Sequence, residues 1–273
     1  MALSQIQRAV CQLLAQHRIS SGESYVTGGV ALSELLGSSR LSQDIDLFHD
    51  TEEAVDASWE ADKTRLEKSD YAVRALRHRP GLVEAEVKKG DESVRVEWAR
   101  DSAYRFFPLV EHPLLGLALH PFDLATNKLL ALVGRREVRD WVDVLQCDRA
   151  LQPLGYLAWA ACGKDPGFCP SSILEHAQRM SRFAPEELAE LAFAGPPPDA
   201  AELARNWRLA MDAARRIIEA LPSDEVGTCV LLGQDLCRLT PEEIPRALQR
   251  QELRFRTGSI RGAMPTVRPA APN

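Results

Sequence analysis

Asp44 and Asp46, two positions apart, are the residues whose types and spacing point most directly to chemistry. The segment Asp44-Ile45-Asp46-Leu47-Phe48 alternates polar and apolar residues, which predicts a half-buried strand with both carboxylates on one face. Such a pair binds hard divalent cations and leaves coordination positions open for a triphosphate and water. Acidic pairs also occur on solvated strands, so the pair alone does not establish a metal site.

A Gly28-Gly29 turn about 15 residues before the acidic pair makes the pattern more specific. Ser24 to Thr27 is a predicted strand, and Val30 to Leu36 is a predicted helix that ends at Gly37. The free N–H groups at the start of a helix bind phosphate oxygens. Together the two features predict a site that holds phosphates beside metal ions.

Three later residues have two interpretations each. Lys128 lies on a predicted helix among core leucines, where a lysine usually extends its ammonium to solvent. Asp140 and Asp143 are three apart on one helical face, which is also typical of a solvated or arginine-paired start of a helix.

Two blocks of sequence resemble a known family. The first comprises Gly28-Gly29-Val30-Ala31-Leu32, Leu35-Leu36-Gly37, Arg40, Ser42 and Asp44 to Phe48; the second comprises Asp123 to Leu132 and Arg139 to Leu145. These blocks, within roughly residues 25 to 148, resemble motifs of the AbiEii/AbiGii (MenT-like) nucleotidyltransferase toxins, which belong to the polymerase-β-type superfamily. One departure is Val30, since relatives usually have a hydroxyl residue after the glycines.

The resemblance implies roles for particular residues. Asp44 and Asp46 would be catalytic ligands of Mg²⁺ or Mn²⁺, and Glu97, on a neighbouring predicted strand, would be a third metal ligand unless it is a surface glutamate. Asp143 and Asp140 would supply a further catalytic carboxylate, with Asp143 preferred. The nucleotide would contact Gly28, Gly29, Arg40, Ser42 and Lys128. Ser42 has an equal claim to a loop-capping role.

The implied activity is transfer of a nucleotide from a nucleoside triphosphate to an RNA such as tRNA, with release of pyrophosphate, by the toxin of a type IV toxin–antitoxin system. A cognate antitoxin would be its partner. Two alternatives stay open: a nucleotidyltransferase that modifies small molecules of the antibiotic type, and a nucleotide-binding module of the same fold that has lost turnover.

The elements that must position these residues predict an α+β fold with a polymerase-β-like mixed sheet flanked by helices. Strands are predicted over 71–77, 82–88 and 93–98, and helices over 121–133 and 136–148. The remainder is predicted to be almost wholly helical. We therefore expect a nucleotidyltransferase-like domain over residues 1–150 and a mainly helical domain over residues 151–273, with a loosely ordered tail after about residue 254.

Composition excludes several other classes of protein. The chain has 273 residues, 45% of them hydrophobic, which is enough for a sizeable core. No apolar run approaches the roughly 18 residues that span a bilayer, so we expect a cytoplasmic protein without membrane contact. A net charge of -6 argues against a uniformly basic nucleic-acid-binding surface, but a late arginine run is a candidate RNA contact: Arg246, Arg250, Arg254, Arg256, Arg261 and Arg268. A solubilising tail is the alternative interpretation.

Overall fold

The computed structural model describes residues 3–262. Its first part is a mixed sheet of seven strands, in the spatial order β3-β4-β5-β2-β1-β8-β7. In chain order the strands of this part are β1 (Ser24–Thr27), β2 (Asp44–His49), β3 (Ala72–Arg79), β4 (Leu82–Lys89), β5 (Glu92–Arg100), the separate short strand β6 (Tyr104–Arg105), β7 (Val110–His112) and β8 (Gly116–Ala118). Strand β2 lies antiparallel to β1 and parallel to β5, so the predicted mixed sheet is confirmed.

Helices cover the sheet and form most of the second part. They are α1 (Gln5–Ser21), α2 (Gly28–Leu36), α3 (Glu52–Lys68), α4 (Pro121–Gly134), α5 (Val138–Ala150), α6 (Leu154–Lys164), α7 (Pro170–Met180), α8 (Pro185–Ala189), α9 (Ala200–Ala220) and α10 (Ile244–Gln249). Helices α1 and α3 pack on one face of the sheet, while α2 packs on β1 and β2 and contacts α4. The flanking helices predicted from the sequence are confirmed.

Strand β2 shows why the sheet has one apolar and one chemically active face. Ile45, Leu47 and His49 are buried, whereas Asp44, Asp46 and Phe48 are only partly buried. The same alternation in β5 buries Val96 and Trp98, and the Trp98 indole donates to Asp62 on α3 at 3.0 Å. Alternation of side chains along a strand therefore directs the carboxylates away from the core under α1 and α3.

The second part differs from the nearly all-helical prediction in one respect. Between α9 and the end of the described chain lies a three-stranded sheet, β10-β9-β11, made of β9 (Thr228–Leu232), β10 (Asp235–Leu236) and β11 (Leu253–Thr257). Its central segment, Thr-Cys-Val-Leu-Leu, is rich in strand-forming residues and follows Gly227, whose φ of 87° ends the preceding turn. A short apolar run of this kind does not distinguish strand from buried helix by periodicity.

The predicted loosely ordered tail also differs from the structure over its first residues. Strand β11 pairs with β9 along its full length, and a last strand β12 (Ser259–Ile260) pairs with β6. Arg256 donates to the Phe106 carbonyl at 2.8 Å and lies over the Phe107 ring. Arg268 and the rest of the tail lie outside the described residues.

One hydrophobic cluster contains residues from both sides of position 150, such as Leu129 on α4 and Ala161 on α6. The boundary between two domains at residue 150 therefore remains a prediction, and packing is continuous across it. No helix among residues 3–262 is both long and apolar enough to cross a membrane.

Candidate active site

A cleft of about 890 Å³ lies where α2, α4, the strands β2 and β5, and the segment around α8 meet. Eight of the ten residues that the sequence predicts for the site line it: Gly28, Gly29, Arg40, Ser42, Asp44, Asp46, Glu97 and Lys128. Asp140 and Asp143 do not line the cleft and are fully buried. The fold thus brings together most residues predicted from the two sequence blocks.

The carboxylates form a row across neighbouring strands. Asp46 of β2 lies directly opposite Glu97 of β5, and Asp44 lies opposite Arg95 in the same parallel register. Asp44 and Asp46 share one face because they are two positions apart on a strand. Three carboxylate groups therefore point into the cleft from two adjacent strands, as the sequence predicts for Glu97.

The pKa values of two of these carboxylates are raised, with burial as the largest cause. Burial raises the pKa of Asp46, and the Asp44 carboxylate raises it further against the opposing effect of Lys128. Burial also raises the pKa of Glu97, with additional repulsion from Asp46, Glu84 and Asp44. A divalent cation would relieve both effects, because it neutralises carboxylates held close together.

The donor set fits a hard cation whose coordination is completed by substrate. Among residues 3–262, no three His, Cys, Asp or Glu side chains already converge as a preformed metal cage. Mg²⁺ is usually held by one or two carboxylates together with substrate phosphates and water rather than by a closed protein cage. The open row of Asp44, Asp46 and Glu97 matches that mode of binding.

The glycine turn is required by close contacts with the acidic strand and the following loop. Gly28 has a φ of 67°, and a Cβ atom there would overlap the Asp46 carboxylate. A Cβ atom on Gly29 would lie 2.6 Å from Ser42 Oγ and 2.8 Å from Arg40 Nη2. The backbone at the start of α2 therefore lies directly against the acidic pair and the arginine, where no side chain fits.

The hydroxyl residue next to the glycines is Thr27, which precedes them, and not residue 30, which follows them. Val30 is completely buried and does not line the cleft. Thr27 pairs with Asp46 across β1 and β2, so their side chains share the cleft face. Thr27 is the N-cap residue of α2, but its hydroxyl makes no capping hydrogen bond and lines the cleft. Thr27 was not among the residues predicted from the sequence, because relatives usually have the hydroxyl after the glycines.

Three cations, one from the loop before β2 and two from α4 and its C-terminal end, converge on one wall of the cleft. Arg40 binds Asp143 through two hydrogen bonds of 2.7 and 2.8 Å. Lys128 Nζ lies 2.9 Å from Asp143 and 3.3 Å from Asp140, and Arg135 Nε donates to Asp140 at 2.8 Å. The two aspartates therefore hold cations in place from behind instead of facing the cleft.

The charges in this cluster are stabilised by one another. Burial alone would lower the pKa of Lys128, but Asp143 and Asp140 outweigh it and raise that pKa. Burial alone would raise the pKa of Asp143, but Lys128 and Arg40 hold it below its usual value. Lys128 and Asp143 are thus both ionised. The cluster contains three cations, Arg40, Lys128 and Arg135, and two carboxylates, so it carries a net positive charge at the cleft wall.

Ser42 combines the two roles that the sequence left open. Its hydroxyl donates to the Asp44 carbonyl at 3.2 Å, as a loop-stabilising serine would, and its side chain also lines the cleft. The Ser42 carbonyl accepts a hydrogen bond of 2.8 Å from the Gln7 side chain, which ties the loop to α1.

The second part of the chain completes the cleft, which the sequence did not predict. Leu41 donates its backbone N–H to Ala192 at 2.8 Å, and Ala194 donates to Ser39 at 2.7 Å. These bonds join the loop carrying Arg40 to the segment after α8, and they bring four further residues to the cleft: Glu187, Glu190, Leu191 and Ala192. No local motif marks this segment, because its partner lies about 150 residues earlier in the chain.

The late arginines up to Arg261, the part of the run that the structure describes, do not line the cleft. Arg261 pairs with Asp50 at 3.1 Å and Arg250 with Glu252 at 3.8 Å, while Arg256 contacts the Phe106 carbonyl. Within residues 3–262, Arg246 and Arg254 are exposed and have no ion-pair partner. Among the described members of the run, these two are free to meet an anionic partner.

Comparisons with known proteins give one family match and several similar folds. A sequence model of the family described as "Nucleotidyl transferase AbiEii toxin, Type IV TA system" matches residues 12–212. No curated protein sequence matches the chain.

Solved structures share the fold at low sequence identity. A candidate nucleotidyltransferase from Helicobacter pylori has a TM-score of 0.53 at 16% identity, covering 80% of this chain and 95% of its own. JHP933 from Helicobacter pylori has a TM-score of 0.51 at 15% identity, with 79% and 91% covered. MenT4, a nucleotidyltransferase toxin of Mycobacterium tuberculosis H37Rv, has a TM-score of 0.50 at 17% identity, with 80% and 83% covered.

Proposed function

Because the chain belongs to the AbiEii family of nucleotidyltransferase toxins of type IV toxin–antitoxin systems, we propose that it transfers a nucleotide from a nucleoside triphosphate to an RNA hydroxyl, such as the acceptor end of tRNA. The observation that carries this proposal is the meeting of the acidic row, the glycine turn and the cation cluster in one cleft. Each part suits a different portion of the reacting nucleotide.

The triphosphate is bound by the start of α2 and the cation wall. The N–H groups after Gly28 and Gly29 donate to phosphate oxygens, and the N-terminus of α2 favours negative charge. Lys128 and Arg40 add positive charge, with Arg40 Nη2 close to Gly29, and Thr27 supplies a hydroxyl donor, while Ser42 lines the same cleft. Asp143 and Asp140 act as positioning residues, since they contact the cations and not the cleft.

Asp44, Asp46 and Glu97 would hold a divalent cation, Mg²⁺ or Mn²⁺, together with phosphate oxygens and water. When bound, this cation would neutralise the triphosphate and the departing pyrophosphate. The acceptor hydroxyl oxygen attacks the α-phosphorus, the bond from that phosphorus to the oxygen bridging to the β-phosphorus breaks, and pyrophosphate leaves. The hydroxyl proton passes to solvent water during the attack.

The RNA acceptor is supported by surface charge rather than by the cleft. Arg246 and Arg254 present unpaired guanidinium groups to solvent, which is the arrangement that phosphate backbones recognise. The family description names a type IV toxin–antitoxin system, which supports an antitoxin partner. The use of nucleoside triphosphates supports a cytoplasmic location. The antitoxin is the partner that would restrain this activity in the cell.

A transfer assay tests the proposal. The protein and its Asp46→Asn variant are incubated with Mg²⁺, each of the four labelled nucleoside triphosphates, and total tRNA. We expect label on RNA with the parent protein and none with the variant. Label transferred only to small hydroxyl compounds of the antibiotic type would replace RNA as acceptor, and nucleotide binding without pyrophosphate release would contradict catalysis.

A further inference from the structure

Two successive polar residues of helix α4 line the cleft, and each is held by a different neighbouring helix. Lys128 is drawn to Asp140 and Asp143 on α5. Asn127 is drawn to Lys164 at the end of α6, whose Nζ donates to Asn127 Oδ1 at 2.8 Å. Both residues line the cleft, so α4 contributes one charged and one uncharged polar side chain to it.

The orientation of the Asn127 amide follows from the chemistry of Lys164. An ammonium group has donors only, so it must face the amide oxygen and not the amide nitrogen. Lys164 is itself fixed, since its Nζ lies 2.8 Å from Asp123 Oδ1 and donates to the Asp123 carbonyl. Asp123 is fully buried and also accepts from the backbone N–H groups of Phe106 and Phe107.

Fixing the oxygen leaves the Asn127 Nδ2 group available. Within residues 3–262 it has no hydrogen-bond partner, although Asn127 is only partly exposed at the cleft. An amide whose oxygen is bound to a buried ion pair cannot rotate without leaving the ammonium donor unpaired. Asn127 therefore offers two preoriented N–H donors to whatever occupies this part of the cleft.

An acceptor group and apolar side chains accompany this donor. Asp101 lies just beyond the end of β5, lines the cleft, and is anchored through its backbone N–H to the His49 carbonyl at 2.9 Å. Burial lowers the pKa of Lys164, the residue that holds Asn127, and the Asp123 and Asp101 carboxylates oppose that effect. Phe48 and Leu124 line the same cleft. A few oriented polar groups among apolar side chains are typical of a site for a small uncharged moiety.

We propose that Asn127 and Asp101 form the subsite for the nucleoside portion of the triphosphate, with Asn127 Nδ2 donating to an acceptor atom of the nucleoside and the Asp101 carboxylate accepting from a hydroxyl or amino group. This inference rests on the proposed function. Lys128, the next residue on α4, lines the same cleft, and the proposed function assigns it to the triphosphate.

The test separates nucleoside contacts from phosphate contacts by measuring binding directly. Asn127→Asp keeps an oxygen for Lys164 but removes both N–H donors, so the fold should be retained and the melting temperature unchanged. Because the new carboxylate repels both ligands, the two losses are compared: we expect binding of nucleoside triphosphates with Mg²⁺ to fall about tenfold more than binding of inorganic triphosphate, the effect of one lost hydrogen bond. Asp101→Asn should show the same selectivity, and Asn206→Asp on α9 is the matched control.

Unchanged nucleotide affinity in Asn127→Asp and Asp101→Asn would overturn the subsite, as would an equal loss for inorganic triphosphate. A change confined to the KM for the acceptor would also overturn it, because the subsite would then serve the acceptor. These outcomes are distinct from failure of the proposed function, which appears in the parent protein as nucleotide binding without any transfer. A change in preference among the four nucleotides in the variants would support the subsite further.

Discussion

Arg40 and Asp143 are 103 positions apart in the sequence, yet Arg40 Nε lies 2.7 Å from Asp143 Oδ1 and Arg40 Nη2 lies 2.8 Å from Asp143 Oδ2. The same carboxylate also holds Lys128. One buried aspartate thus fixes two cleft cations that come from a loop and from a helix. Its contribution to the site is to position those cations.

Replacing Asp143 by Asn should reduce both stability and nucleotide affinity. The variant leaves two buried cations short of a countercharge, so we expect the free energy of unfolding to fall by about 3 kcal/mol in denaturant titrations. The matched control is Glu175→Gln, which breaks an exposed ion pair with Arg179 and should change stability by less than about 1 kcal/mol. Equal stabilities of Asp143→Asn and the parent protein would contradict the buried-pair argument.

The contact of Asp143 with Lys128 and Arg40 predicts how the stability of the protein depends on pH. The pKa of Asp143 is lower in the folded protein than in the unfolded chain, where it is about 3.9. Its stabilising contribution is therefore present above that unfolded value and is lost as pH falls through the lower folded value. The stability difference between parent and Asp143→Asn should be constant near neutral pH and shrink in acid, below about pH 4. A difference that grows in acid would contradict this sign.

Gly28→Ala should abolish transfer, whereas Gly37→Ala should not. Both glycines have φ values between 60° and 70°, at 67° and 63°, so each substitution strains the backbone by about 1–2 kcal/mol. Only at Gly28 does the added methyl group overlap the Asp46 carboxylate, since nothing lies near the added atom at Gly37. Similar melting temperatures with a loss of activity confined to Gly28→Ala would confirm that the contact serves the site. Equal activities would refute it.

Thr27→Val should lower transfer about tenfold with little change in stability. The substitution keeps the β-branched shape and removes only a hydroxyl that makes no capping hydrogen bond in the structure. Val30→Thr should fail to restore activity to the Thr27→Val protein, because position 30 is completely buried and outside the cleft lining. Kinetics on the two single variants and the double variant test this, and rescue by Val30→Thr would show that position 30 reaches the phosphate.

Glu97→Gln should stabilise the protein without metal and remove its response to Mg²⁺. Burial and the Asp46 charge raise the pKa of Glu97, so this carboxylate favours the folded state at low pH and loses that effect as pH rises through its raised pKa. At neutral pH the neutral variant should therefore melt higher in chelator. Mg²⁺ should raise the melting temperature of the parent protein and of a Glu86→Gln control, but not that of Glu97→Gln. An unchanged Mg²⁺ response in Glu97→Gln would remove Glu97 from the metal site.

Arg246→Gln combined with Arg254→Gln should weaken RNA binding and reduce its salt dependence. Each lost phosphate contact should lower the slope of log affinity against log salt by about 0.7–0.9. Point variants are needed because strand β11 pairs with β9, so truncation before it would disturb the small sheet. Arg179→Gln is the control for an exposed arginine outside this run, and an unchanged slope in the double variant would exclude the surface as an RNA contact.

Local signals in the sequence were sufficient for the central elements of the site. Asp44 to Phe48 alternates with the period of a strand, and Gly28-Gly29 marks a turn that only glycine accommodates against Asp46. These features were predictable because backbone geometry repeats over a few residues. The family resemblance, now confirmed by a match over residues 12–212, extended the prediction to the Lys128 helix.

Only the tertiary structure decided which residues distant in sequence line the cleft and which support it from behind. It placed Asp143 behind Arg40 and Lys128, turned Thr27 to the cleft, and brought the segment around Ala192 against Leu41. It also formed a small sheet where periodicity suggested helix. A buried ion pair, or a cleft wall formed by distant segments, depends on desolvation and close packing of residues that are far apart in the chain. A short-range pattern of side chains does not contain that information.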